Sequence, residues 1–250
     1  MTTISAAPAV TDIAGLPFVD DSFTERRLLA LTVAVRRAEA QRRGLAGMAA
    51  PADAAAWLAP ALAFALSAST TPVPALPLAP ARRRAVNQAL TEVAALMPSW
   101  APLLRLPVRY ARLHPARGAI SASSRDWPQH VLLAEDAFAT GRELREQVVH
   151  ELAHQWLYLI EAIWPVQAPG AGTLTLPSGT RDRSPAEVLG AAHVAAALAR
   201  MYQADGSAWA AARTATLTSY ALGCLDLAAA VSSHLTGTGH LICQRLKEAM

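Results

Sequence analysis

Three stretches, 140–163, 185–204 and 207–234, carry apolar residues at helical spacing, and the only proline within them, Pro185, stands at the first position of its stretch. Periodic runs of that length are helices and not strands, so the chain is committed to packing helices against one another. Its first hundred residues follow the same rule. Residues 22–43 set Leu28, Leu29, Val33 and Val35 among arginines, with Ser22 as a starting cap and Gly44 as a stop. Helices are also expected over 53–68, 81–96 and 238–248, and the proline-rich segment 72–80 reads as an extended linker.

Between these patterns lie three strand candidates, 106–113, 119–124 and 130–134, with a turn at Pro115–Gly118. The expected fold is therefore mainly α with a small antiparallel β-sheet. An N-terminal helical region, 1–101, adjoins a second region, 102–250, in one compact unit, and in the second region the 140–163 helix is expected to pack against another long helix. No internal repeat is found.

Composition narrows the function classes. Of the 250 residues 53% are hydrophobic and 16% charged, which excludes a mostly disordered chain. Net charge is +3, Lys247 is the one lysine among 22 basic residues, and no basic run is interleaved with aromatics. A nucleic-acid partner is not expected. Residues 54–81 carry no charge, but Pro60, Pro72, Pro74, Pro77 and Pro80 cut the run below the roughly 20 apolar residues a membrane span needs. The first fifteen residues lack the basic start and apolar centre of a secretory signal. Cys224 and Cys243 lie far apart on helices, which suits a reduced, cytoplasmic compartment.

The densest chemical signal is His150-Glu151-Leu152-Ala153-His154. Four residues apart on a helix, the imidazoles share one face and can hold one metal ion, while Glu151 is turned about 100° around the axis. A third protein ligand must come from elsewhere. Asp182, Glu187 and His193 are the candidates: Glu187 suits a helix N-terminus, and His193 lies inward beside Leu189, Ala196 and Ala197. Trp156, Tyr158 and Trp164 read as core, and Arg82–Arg84 as a surface helix start.

These residues carry a resemblance. HELAHQW, preceded by ISASSRDWPQHVLLAE and followed by RDRSPAEVLGAAHVAAAL, resembles the 2-oxoglutarate-dependent HExxH-type peptide β-hydroxylases, iron enzymes that modify ribosomally made peptides. It covers roughly residues 106–246. The HExxH element alone is shared with many zinc peptidases; the order of the downstream segment separates the two. The family pattern often reads Arg-Pro, whereas this chain reads Arg183-Ser184-Pro185.

The resemblance implies an oxygenase that hydroxylates the β-carbon of an amino-acid side chain, with a peptide or amino-acid substrate. It implies Fe(II) held by His150, His154 and His193, which leaves positions for the keto acid and for O2. The cosubstrate's far carboxylate would take an arginine, Arg183 or Arg181. Ser123, Ser124 and Arg125 are candidates for substrate contact. The alternative is a zinc metallopeptidase, in which Glu151 is the general base and Glu187 the third ligand.

Overall fold

The structure, a computed structural model, describes residues 15–44, 53–67, 69–114 and 118–250. The first described residues are a tight turn, in which Leu16, Phe18 and Val19 are buried. Gly15 is needed there: its φ is +91°, and a Cβ would meet that of Asp20 at 2.6 Å. Helix α1 (Glu25–Arg42) follows, then α2 (Ala54–Trp57) and α3 (Pro60–Ala65). The single helix expected over 53–68 is split because Ala59, before Pro60, is forced into extended backbone, and its last residue lies outside the described range. The rest of the charge-free run is the short strand β1 (Ala75–Leu76) and the start of α4 (Pro80–Leu96). Among the described residues no helix is long and apolar enough to cross a membrane.

Strands β2 (Arg109–Leu113), β3 (Ser121–Ala122) and β4 (His130–Leu133) join β1 in a sheet of order β1-β2-β4-β3. The sheet is mixed, where a purely antiparallel one was expected: β2 and β4 run parallel, Arg109 opposite His130, with antiparallel edges on either side. A parallel pair needs a crossover of a dozen or more residues. Residues 114–129 supply it and place β3 within it. The turn expected at Pro115–Gly118 falls there too, and residues 115–117 lie outside the described range.

The remaining chain is α5 (Gly141–Ile163), α6 (Pro185–Asp205), α7 (Ala208–Ala230) and α8 (Gly237–Glu248). Helix α6 begins with a capping box between Ser184 and Glu187 and ends at Gly206, whose φ is 69°. It is central: α4, α5, α7 and α8 all pack on it, and its run of alanines lets their backbones come close. The regions on either side of residue 101 share one core. Leu28 of α1 and Val86 and Val93 of α4 belong to the same buried cluster as Leu152 and Trp156 of α5. Within it the Trp156 indole donates to the Leu103 carbonyl at 3.0 Å.

Helix α8 is seated by Thr236, whose hydroxyl donates to the Pro165 carbonyl at 2.6 Å and whose Oγ1 accepts from the Gly239 amide. A Cβ on Gly239 would lie 2.2 Å from the Val166 carbonyl oxygen, a rigid backbone group. Gly239→Ala should therefore destabilise the protein by about 1–3 kcal/mol, a cost typical of overpacking. Thermal unfolding of the variant measures this, and an unchanged melting temperature would mean that α8 does not dock so closely.

Candidate functional site

Helix α5 presents different chemistry on each side. Gln147, Glu151 and Gln155, four residues apart, face the sheet. Ser121 Oγ on β3 lies 2.6 Å from Gln147 Oε1 and 2.5 Å from Glu151 Oε1, and the Gln155 side chain accepts from the Gln129 amide and donates to the His130 carbonyl. Glu151 is thus in the wall between helix and sheet, with its side chain 3% exposed. Its Oε1 lies 3.9 Å from His150 Nε2, too far for a hydrogen bond.

The adjoining stripe of α5 holds Glu146, His150, His154 and Glu161, and it lines a cleft of about 780 Å³ bounded by α5, α6 and α7. The two rings are 5.0 Å apart between centroids. His154 is enclosed: Tyr158 stacks on it at 5.8 Å, and its Nδ1 is buried without a hydrogen-bond partner. Burial, and next the neighbouring His150, hold its pKa well below the ordinary histidine value, so the ring is neutral and fit to ligate. Gly190 of α6 lies beside the ring, and a Cβ there would stand 3.6 Å from Nδ1 and Cε1, an ordinary contact distance.

His193 is buried, as its alanine neighbours suggest, but it does not line this cleft. Its Nε2 lies 2.8 Å from the Pro17 carbonyl oxygen. A carbonyl only accepts, so Nε2 carries the hydrogen and Nδ1 is bare; that Nδ1 is buried and unpartnered. Burial lowers its pKa to about 4 against the opposing pull of Pro17 and Asp20, which keeps the ring neutral. Among the described residues no three His, Cys, Asp or Glu side chains stand close enough to share one ion.

Other expected residues divide. Ser123, Ser124, Arg125, Arg183 and Glu187 line the cleft; Arg181 and Asp182 are exposed outside it. Ser124 also does turn work, its Oγ accepting from the Asp126 amide at 3.1 Å. Trp156 and Trp164 are core, but Tyr158 belongs to the cleft, since one flank of its ring is His154 and a cation, Arg125, stands 5.7 Å from its centroid.

The sequence reading missed the cleft's charge pairs. Arg125 meets Glu161 at 2.5 Å, Arg183 meets Glu187 at 2.8 Å, and Arg213 of α7 meets Glu146. Glu146 and Glu161 were within reach, because their spacing from the histidines, four and seven residues, puts them on the same helix face. Nothing local marks Arg213. No protein-family model matches the chain, and no curated protein matches it.

Burial pushes the Glu161 carboxyl up from 4.5 to about 7, against the pull of Arg125. The folded state then holds a proton that the unfolded state has lost, and stability falls as pH rises through that window. With only 7% of the side chain exposed, this is worth about 1–3 kcal/mol. Glu161→Gln should melt with the wild type near pH 4.5 and above it at pH 8. Parallel pH profiles for the two proteins would contradict the shift.

Proposed function

We propose that the protein is an Fe(II)- and 2-oxoglutarate-dependent oxygenase that hydroxylates the β-carbon of an amino-acid side chain, in a peptide substrate. The observation that carries this reading is the division of labour on α5: two histidines face a large cleft, while Glu151 turns to Ser121 in the sheet. A hydrolase needs its glutamate aimed at a water in the cleft. An oxygenase needs only the ligands and room beside them.

His150 and His154 would hold the ion; His193, the third ligand in this reading, does not line the cleft here and would have to come closer to complete the site. Its tautomer suits the role, because a metal-binding histidine commonly gives its other N–H to a backbone carbonyl, here that of Pro17, leaving Nδ1 for the ion. His193 is also near enough to His154 that a charge on it would depress His154 further. When bound, iron, O2 and 2-oxoglutarate together supply the oxidation: the substrate C–H becomes C–OH, and the keto acid becomes succinate and CO2. The chain's own part is positioning. Tyr158 stacks on His154 and orients its ring, and Gly190, Ala191 and Ala195 give the cleft a small-residue floor for the substrate side chain.

Anaerobic loading with Fe(II), then addition of 2-oxoglutarate and O2, tests the reading through succinate formed. No succinate from fully loaded protein, with or without candidate peptides, would remove it. His193→Ala should keep the fold and lose most bound iron, and unchanged iron stoichiometry would take His193 out of the site.

One observation favours the zinc metallopeptidase instead: Glu187, its third ligand, lines the cleft and His193 does not. Glu187 is already engaged, since the Ser184 amide donates to its Oε2 and Arg183 Nη1 to its Oε1, both at 2.8 Å. Glu151→Gln separates the readings. In the oxygenase it leaves turnover within about tenfold, whereas loss of a general base costs about 10²–10⁴-fold. Metal emptied by Glu187→Gln but kept by His193→Ala would decide for the hydrolase.

A further inference from the structure

We propose that Glu161 couples ligand binding to proton uptake: a carboxylate that draws Arg125 away from it enters the cleft together with a proton. For 2-oxoglutarate this rests on the oxygenase reading. Each arginine of the cleft stands against a glutamate, so an arriving anion must take one of them from its partner. The glutamates left behind differ in what they can do next. Glu187 is 42% exposed and keeps the Ser184 amide on Oε2, so it turns to water and stays charged. Glu146 keeps the Tyr202 hydroxyl at 2.5 Å. Glu161 has neither recourse. Its side chain is 7% exposed, Oε2 meets Arg125 Nη2 at 2.5 Å, and Oε1 is buried without a hydrogen-bond partner among the described residues.

Arg125 is the partner free to leave. It is 47% exposed, stands 5.7 Å from the Tyr158 ring centroid, and is close enough to His154 for its charge to act on that ring. Once it has turned, the Glu161 carboxylate is a buried charge without a counter-charge, a state that proteins avoid by neutralising the group. No neighbour replaces the lost cation. From α6 the cleft receives Glu187, whose charge opposes that of Glu161, and Arg183, which Glu187 already holds. Tyr158 on the same helix and Tyr220 on α7 are phenols that burial keeps neutral. The proton is also close at hand. Burial sets the carboxyl at about 7 even with Arg125 in place, so losing that cation moves it from half-protonated to fully protonated in the neutral range.

Calorimetric titration of Fe(II)-loaded, oxygen-free protein with 2-oxoglutarate, repeated in two buffers of different ionisation enthalpy, counts the protons taken up. The wild type should take up more than Glu161→Gln, by about half a proton per ligand at pH 7 and about 0.9 at pH 8. Its affinity should fall about fivefold between those pH values, while that of Glu161→Gln stays level. Glu187→Gln, the same change in the rim pair, should follow the wild type. Equal proton counts in wild type and folded Glu161→Gln overturn the coupling and leave the oxygenase reading intact. A wild-type affinity that is level between pH 7 and 8 overturns it without any variant. The α-amide of N-acetylglutamate, titrated into metal-free protein, carries the carboxylate on a peptide-like side chain. A Glu161-dependent proton seen with it and not with 2-oxoglutarate assigns Arg125 to the substrate. If 2-oxoglutarate does not bind the iron-loaded wild type, the oxygenase reading fails and the amide decides Glu161 alone: binding with the same proton difference supports the coupling, and no difference or no binding overturns it.

Discussion

The rotation of α5 about its own axis is set by the polar stripe it buries. Gln147, Glu151 and Gln155 exchange hydrogen bonds with Ser121, Gln129 and His130, and a turn of the helix in either direction would leave those groups unpaired inside the protein. Each such loss costs about 1–3 kcal/mol, so a rotated helix would give up a large share of a domain's net stability. With that stripe against the sheet, the stripe 100° away has one place to go: it becomes the wall of the cleft. His150 and His154 point there because Glu151 points elsewhere.

Helix α6 has the complementary role. It brings Glu187 to the rim, and along the rest of its cleft face its contribution is thinness. Gly190, Ala191 and Ala195 keep its backbone close to the histidine ring, and α7 is brought near enough for Arg213 to meet Glu146 on α5. The floor is apolar and each arginine of the walls stands against a glutamate, so a charged ligand must exchange partners with a pair already formed.

Much of this was legible in the sequence, for identifiable reasons. Helical periodicity located α4 through α8 to within a few residues, because each buries one face and the spacing records it. The histidine pair was legible because i, i+4 is a local relation. His193 was legible as buried, but which neighbours it faces was not, since α6 is enclosed on almost all sides and such a helix has more than one inside. Strand alternation gives the exposed face and says nothing of direction, so the parallel pairing of β2 with β4 was invisible. Arg213 meets Glu146 across 67 residues, and no pattern within α7 announces that meeting.

The turn at residues 15–20 closes the longest sequence separations among the described residues' side-chain contacts. Pro17 reaches His193, Val19 accepts from Arg200, and Asp20 meets Arg245, separations of 176, 181 and 225 residues. Loop closures of that size contribute only once the intervening helices have formed. The contact of Asp20 with Arg245 thus waits for α8, whereas the Pro17 carbonyl that orients His193 is made early and waits only for α6.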